Sequence, residues 1–148
     1  MFVIIAIGCD HGGFDLKNEL IKHLESQNIE YKDFGCYTTE SVDYPDIAEV
    51  VCESVVSGEC EKGILVCGTG IGMSIAANKI KGIRAALLSD TFSAKMTAAH
   101  NNSNVIALGG RVLGPELAKD IVDAYLSSQF LGGRHQNRVD KINKLENK

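Results

Sequence analysis

The strongest constraint on this chain is an alternation that runs along its whole length. Short, wholly apolar runs take turns with stretches whose apolar residues recur every three or four positions. Val3-Ile4-Ile5-Ala6-Ile7, Gly63-Ile64-Leu65-Val66-Cys67 and Val105-Ile106-Ala107-Leu108 are of the first kind. Such runs read as strands covered on both faces. Leu16, Leu20, Ile21 and Leu24 are of the second kind, as are Ile47, Val50, Val51 and Val55, and later Leu117, Ile121, Val122 and Tyr125. Each of these sets predicts the buried stripe of a helix. Weaker strand signals fall at 30–33 and 83–88, and further helices at 71–79, 91–100 and 134–144. Pro45 opens the second helix, where its missing N–H costs nothing.

Strands separated by helices, with short links, imply parallel strands joined by right-handed crossovers. The expected architecture is α/β: a single doubly wound, Rossmann-like three-layer sandwich with a five-stranded parallel sheet, one domain over 1–148 with a polar tail from about 145. In such sheets a ligand binds beyond the carboxyl ends of the strands, where strand order reverses. With the order 2-1-3-4-5, that crevice lies between the loops after the first and third strands.

Composition excludes several classes. Fifteen basic against nineteen acidic residues give a net charge of −4, which argues against nucleic acid as a partner. No apolar run approaches the roughly 20 residues of a membrane span. The apolar start, 1–7, lacks a basic n-region and reads as a strand rather than a signal peptide. Cys9, Cys36, Cys52, Cys60 and Cys67 are odd in number and never form C-x-x-C, so zinc and redox motifs are weak readings and reduced thiols in a cytoplasm are expected.

The loop Cys67-Gly68-Thr69-Gly70-Ile71-Gly72 carries the sharpest signal. Its glycines let backbone approach a ligand, and the helix that follows presents free N–H groups to an anion. Met73 stands where the dinucleotide fingerprint requires glycine and where a phosphatase-type C-x5-R loop requires arginine. What remains is a thiol beside backbone donors, able to serve as base or nucleophile if the helix terminus acidifies it. The alternative is a buried strand-end thiol beside a tight turn. Asp10 and His11, with Gly12 and Gly13, form a second polar loop facing the same crevice, in which Asp10 caps a helix or takes part in chemistry. Arg134 and Arg138 share a helix face, with His135 beside them, and Arg111 follows the fifth strand. Three convergent arginines would clamp a phosphate, whereas helix-surface arginines are usually solvated. Tyr44 is either a rim aromatic or a platform for a sugar.

Taken together, Gly8-Cys9-Asp10-His11-Gly12-Gly13, Asp43-Tyr44-Pro45-Asp46, the run CGTGIGMSIAANK from Cys67, residues 104–112 and GGRHQNRVDKI from Gly132 resemble the B-type ribose-5-phosphate isomerases of the sugar-phosphate isomerase family. The resemblance implies metal-free and cofactor-free interconversion of ribose 5-phosphate and ribulose 5-phosphate. It implies that Cys67 moves a proton between C2 and C1 through an enediolate, that Thr69 supports it by hydrogen bonding, and that amides from Gly68 through Gly70 and Ile71 to Gly72 hold the oxyanion. His100 would open the furanose ring with Asp10 assisting, His11, Arg111, Arg134 and Arg138 would bind phosphate, and Asn101 would contact the sugar. One branch of the family uses a glutamate just after the glycine loop; Met73 here leaves the thiol as base.

Topology adds one expectation. His100 ends the fourth helix, at the sheet's amino edge, so it meets Cys67 only across a subunit boundary. This predicts a homodimer with shared active sites; the sequence leaves open whether such dimers pair into a tetramer. Allose 6-phosphate or galactose 6-phosphate isomerisation, a non-catalytic sugar-phosphate sensor and a dinucleotide-dependent enzyme are the competing readings.

Overall fold

The computed structural model describes residues 3–148; the expectation that Met1 and Phe2 begin the first strand lies outside the described residues. One sheet holds β1 (Ile4–Cys9), β2 (Glu30–Asp33), β3 (Lys62–Cys67), β4 (Ala85–Leu87) and β5 (Val105–Gly109). Every pairing is parallel, so each link must cross a face of the sheet. The links carry α1 (Phe14–Ser26), α2 (Tyr44–Val56), α3 (Ile71–Ala77) and α4 (Thr91–Met96), and α5 (Pro115–Ser127) and α6 (Arg134–Leu145) follow β5.

The alternation of side chains along each strand divides the core in two. Ile5, Ile7, Ile64, Val66, Ile106 and Leu108 pack against α1, α4 and α5. Ala6, Leu65, Cys67, Val105 and Ala107 pack against α2 and α3. This is a three-layer α/β sandwich.

The strand order is β2-β1-β3-β5-β4, a correction to the 2-1-3-4-5 expected from sequence. All five residues of β5 are buried, whereas β4 is three residues long and none is fully buried. An interior strand must be apolar on both faces, so β5 takes the interior and β4 the edge. The return from β4 to β5 reverses direction, and a right-handed crossover then places α4 on the α1 and α5 face. Order still reverses between β1 and β3, so the crevice stays at the loops named above.

Three smaller differences appear. Val50 and Leu117 lie on the solvent side, 40% and 42% exposed; the inward face of α2 is Ala48, Val51, Cys52 and Val55. The fourth helix is α-helical only to Met96 and widens into a π turn over Thr97–Asn101. The third helix stops at Ala77 rather than near 79.

Candidate active site

Three loops meet at the carboxyl ends of β1, β3 and β5. After β1, Asp10 Oδ1 accepts the N–H groups of Gly12 at 2.9 Å and Gly13 at 3.2 Å, so the carboxylate caps the short 3-10 turn His11–Gly13. The capping role weighed for Asp10 from sequence is therefore present. Gly13 lies against β3, where a Cβ would stand 2.4 Å from the Val66 carbonyl oxygen. The loop after β5 closes on the same spot: Gly110 N–H donates to Cys67 O at 2.8 Å and Arg111 N–H to Gly68 O at 2.9 Å. These backbone contacts leave no room for side chains between the loops, which explains why glycine recurs in all three.

Cys67 ends β3 with its side chain toward α2 and α3, and it is 5% exposed. Its Sγ accepts the N–H of Gly70 at 3.1 Å. Gly70 holds φ +81, a left-handed conformation strained for other residues. Thr69 Oγ1 accepts the N–H of Ile71 at 3.2 Å. The other cysteines differ in setting. Burial pushes the Cys9 and Cys52 thiols up to about 12, so both stay protonated and act as small hydrophobes.

Around this centre the structure gathers His11, Arg111 and Tyr44. The His11 Nδ1 accepts the N–H of Val42 at 3.3 Å, which leaves Nε2 to carry the proton of the neutral ring. Arg111 lies over the glycine loop, its Nη1 3.4 Å from where a Gly68 Cβ would be. Tyr44, the first residue of α2, packs its ring on Gly72, where a Cβ would come within 2.6 Å. Asp10, His11, Tyr44, Cys67, the glycine loop and Arg111 therefore form one group within one chain.

His100, Asn101, Arg134 and Arg138 form a second group elsewhere. The Asn101 carbonyl accepts from Arg84 Nε at 3.2 Å, and Arg84 immediately precedes β4, at the amino end of the sheet. Asn101 and Arg84 line a cavity of about 500 Å³ there, with Asn78, Ile83 and Ser103. The His100 ring stacks on that of His135, centroids 4.1 Å apart and planes 10° from parallel. His135 sits on α6 between Arg134 and Arg138. The sequence-predicted site is thus split between the two ends of the sheet.

Three residues escaped the sequence reading. His135 was only a neighbour of the arginines, and nothing in its spacing marks a ring stack. The Val42 amide has no side-chain signal at all. Lys17 is 1% exposed and pairs with Asp33 at 2.8 Å; its place at i, i+3, i+4 and i+7 with Leu20, Ile21 and Leu24 does put it on the inward stripe.

Among the described residues no group of three His, Cys, Asp or Glu side chains is arranged to hold a metal ion. Among them, too, no helix is long and apolar enough to cross a membrane.

A family profile described as Ribose/Galactose Isomerase matches residues 5–142. The chain belongs to that family. It is 52% identical to ribose-5-phosphate isomerase B of Escherichia coli (strain K12), over 96% of this chain and 95% of that protein. It is 46% identical to D-erythrulose-4-phosphate isomerase of Pectobacterium atrosepticum, over 96% and 94%. The structure of Clostridium thermocellum ribose-5-phosphate isomerase B superposes with a TM-score of 0.97 at 52% identity, covering 98% of both chains. The family and these relatives make this chain an isomerase with an all-parallel α/β fold.

Proposed function

We propose that the chain interconverts D-ribose 5-phosphate and D-ribulose 5-phosphate with Cys67 as the base. The observation that carries the mechanism is the N–H of Gly70 aimed at the Cys67 sulfur, at the one sheet end where three glycine loops converge. The substrate is supported by the relatives of 52% identity.

The Cys67 thiolate takes the C2 proton of the open-chain aldose, and the electron pair forms the C1=C2 bond of a cis-enediolate. Return of the proton to C1, with transfer of the O2 hydroxyl proton to O1, gives the ketose. Amides of the Gly68–Gly72 loop stabilise the charge on oxygen, an interaction that strengthens as the charge develops; Gly70 and Ile71 already spend theirs on Cys67 and Thr69. His11 and Arg111 hold the phosphate.

Ring opening belongs to the second group. His100 takes the proton of the anomeric hydroxyl, the C1–O4 bond breaks, and O4 is protonated. Because His100 lies with the amino end of the sheet, this reading requires a homodimer in which each site takes His100, Asn101, Arg134 and Arg138 from a second copy. Ile75, Leu87 and Phe92 are 60%, 45% and 70% exposed, apolar surface available to a second copy. A cytoplasmic location is part of the same reading, supported by five unbridged thiols.

The relative named for a four-carbon phosphate favours one competing substrate. Turnover of four-, five- and six-carbon aldose or ketose phosphates, measured with EDTA present, separates the readings. Ribose 5-phosphate should give the highest kcat/KM. Cys67→Ala should lower kcat by about 10²–10⁴ while KM changes little. Unchanged turnover in that variant excludes the thiol as base.

A further inference from the structure

We propose that His135 is a positioning residue for ring opening: its imidazole is the platform that fixes the plane of His100. The inference rests on the reading of His100 as the ring-opening group.

The two rings lie face to face at 4.1 Å and 10°, and His135 is 9% exposed whereas His100 is only partly buried. A stacked neighbour restrains rotation about χ2, the loose torsion of a histidine. It touches only the ring face, so both nitrogens of His100 remain at the edge, where protons are exchanged. Among the described residues no hydrogen bond within the chain engages either nitrogen, so the stack is the contact that orients the ring.

The surroundings hold the platform rather than the ring above it. His135 and Val139 are the buried residues of α6, so they are the two side chains by which that helix seats on the π turn. The Leu131 N–H donates to Ala99 O at 3.0 Å, and the His135 N–H to Gly132 O at 3.1 Å. These bonds tie the approach to α6 to the residue next to His100. Burial, then the neighbouring His100, Arg134 and Arg138, push His135 below the usual histidine value. A neutral platform is the form that does not repel a proton arriving on His100.

The ketose provides a clean test. Its 5-hydroxyl is esterified, so it cannot close a furanose ring, and exchange of its C1 proton with solvent needs the base but no ring opening. Two rates are therefore measured for His135→Ala and His135→Phe: turnover of ribose 5-phosphate, and deuterium incorporation at C1 of ribulose 5-phosphate by NMR. His135→Ala should lose about tenfold or more in kcat from the cyclic aldose, as misplacement of a reacting group commonly costs, while exchange stays within about twofold. His135→Phe keeps a flat ring and should recover most of the turnover. Equal losses in both rates, or full turnover in His135→Ala, overturns the proposal. His100→Ala, measured alongside, tests the underlying reading separately: if its aldose turnover is unchanged, the ring-opening assignment itself fails.

Discussion

Gly70 shows how one residue can join conformation to chemistry. Its amide donates to the Cys67 sulfur, its φ is +81, and a Cβ there would stand 2.7 Å from Leu87 Cδ1 and 2.9 Å from the Leu108 carbonyl carbon. Gly70→Ala should therefore cost about 1–3 kcal/mol of stability from the left-handed conformation and the overlap. It should also lower kcat, because the donor moves away from sulfur. Denaturant unfolding beside kinetics checks this, and a stable variant with full activity would refute the coupling. At this scale the sequence was a good guide to identities and a poor guide to pairings. Cys67 stood out as a thiol before a glycine loop, but which amide reaches it depends on how the turn folds, so the Gly70 N–H could not be named from residue types alone. His135 also makes a pH prediction. Its folded-state value lies below the usual 6.5, so the unfolded chain binds the proton more readily and this group's contribution to stability is lost as pH drops below about 6.5. His135→Phe should flatten that part of a plot of Tm against pH; an unchanged slope would show that the histidine is not held neutral.

Among the elements, α1 and β2 are joined by a charge that stands on the apolar stripe of its helix, where residue type alone would not put it. Lys17 Nζ donates to both Asp33 oxygens, at 2.8 and 2.9 Å, and to Cys36 O at 2.6 Å. Asp33 also accepts from Gly35 N–H at 2.9 Å, so the pair fastens the end of β2 to the loop running toward Val42 and His11. The two partners are unequally buried, 1% against 25% exposed. Removing the carboxylate strands a buried ammonium; removing the lysine leaves a carboxylate that still meets water. Asp33→Ala should thus destabilise more than Lys17→Met, the former by about 3 kcal/mol or more, as urea unfolding would show. The reverse ranking would mean that packing, not charge, dominates. Helix and strand types were legible because each apolar run has one dominant period. The order of β4 and β5 was not, because it depends on which strand tolerates an edge. The clue was available: residues 105–109 are apolar throughout, whereas Arg84 stands at the mouth of β4.

For the whole molecule, the separation of Cys67 from His100 is a statement about symmetry. A parallel sheet has distinct ends, and each crossover helix begins near the carboxyl end of one strand and finishes near the amino end of the next. A residue after β3 and a residue at the close of the segment after β4 therefore belong to opposite ends, whatever the details of packing. That much could be read from element order alone, while the grouping of Arg111 with Cys67, and of Arg134 and Arg138 with His100, needed the folded chain. Two copies related by a twofold axis can bring one chain's carboxyl end to the other's amino end, twice over. Complementation decides the matter. Cys67→Ala and His100→Ala should each be inactive alone. Co-expressed, half of the dimers should be mixed, and in each mixed dimer both defects fall in one site while the other site is intact. Recovery to about a quarter of wild-type activity is expected from that statistical pairing. If each site were built from a single chain, every site in the mixture would carry one defect, and no activity would return.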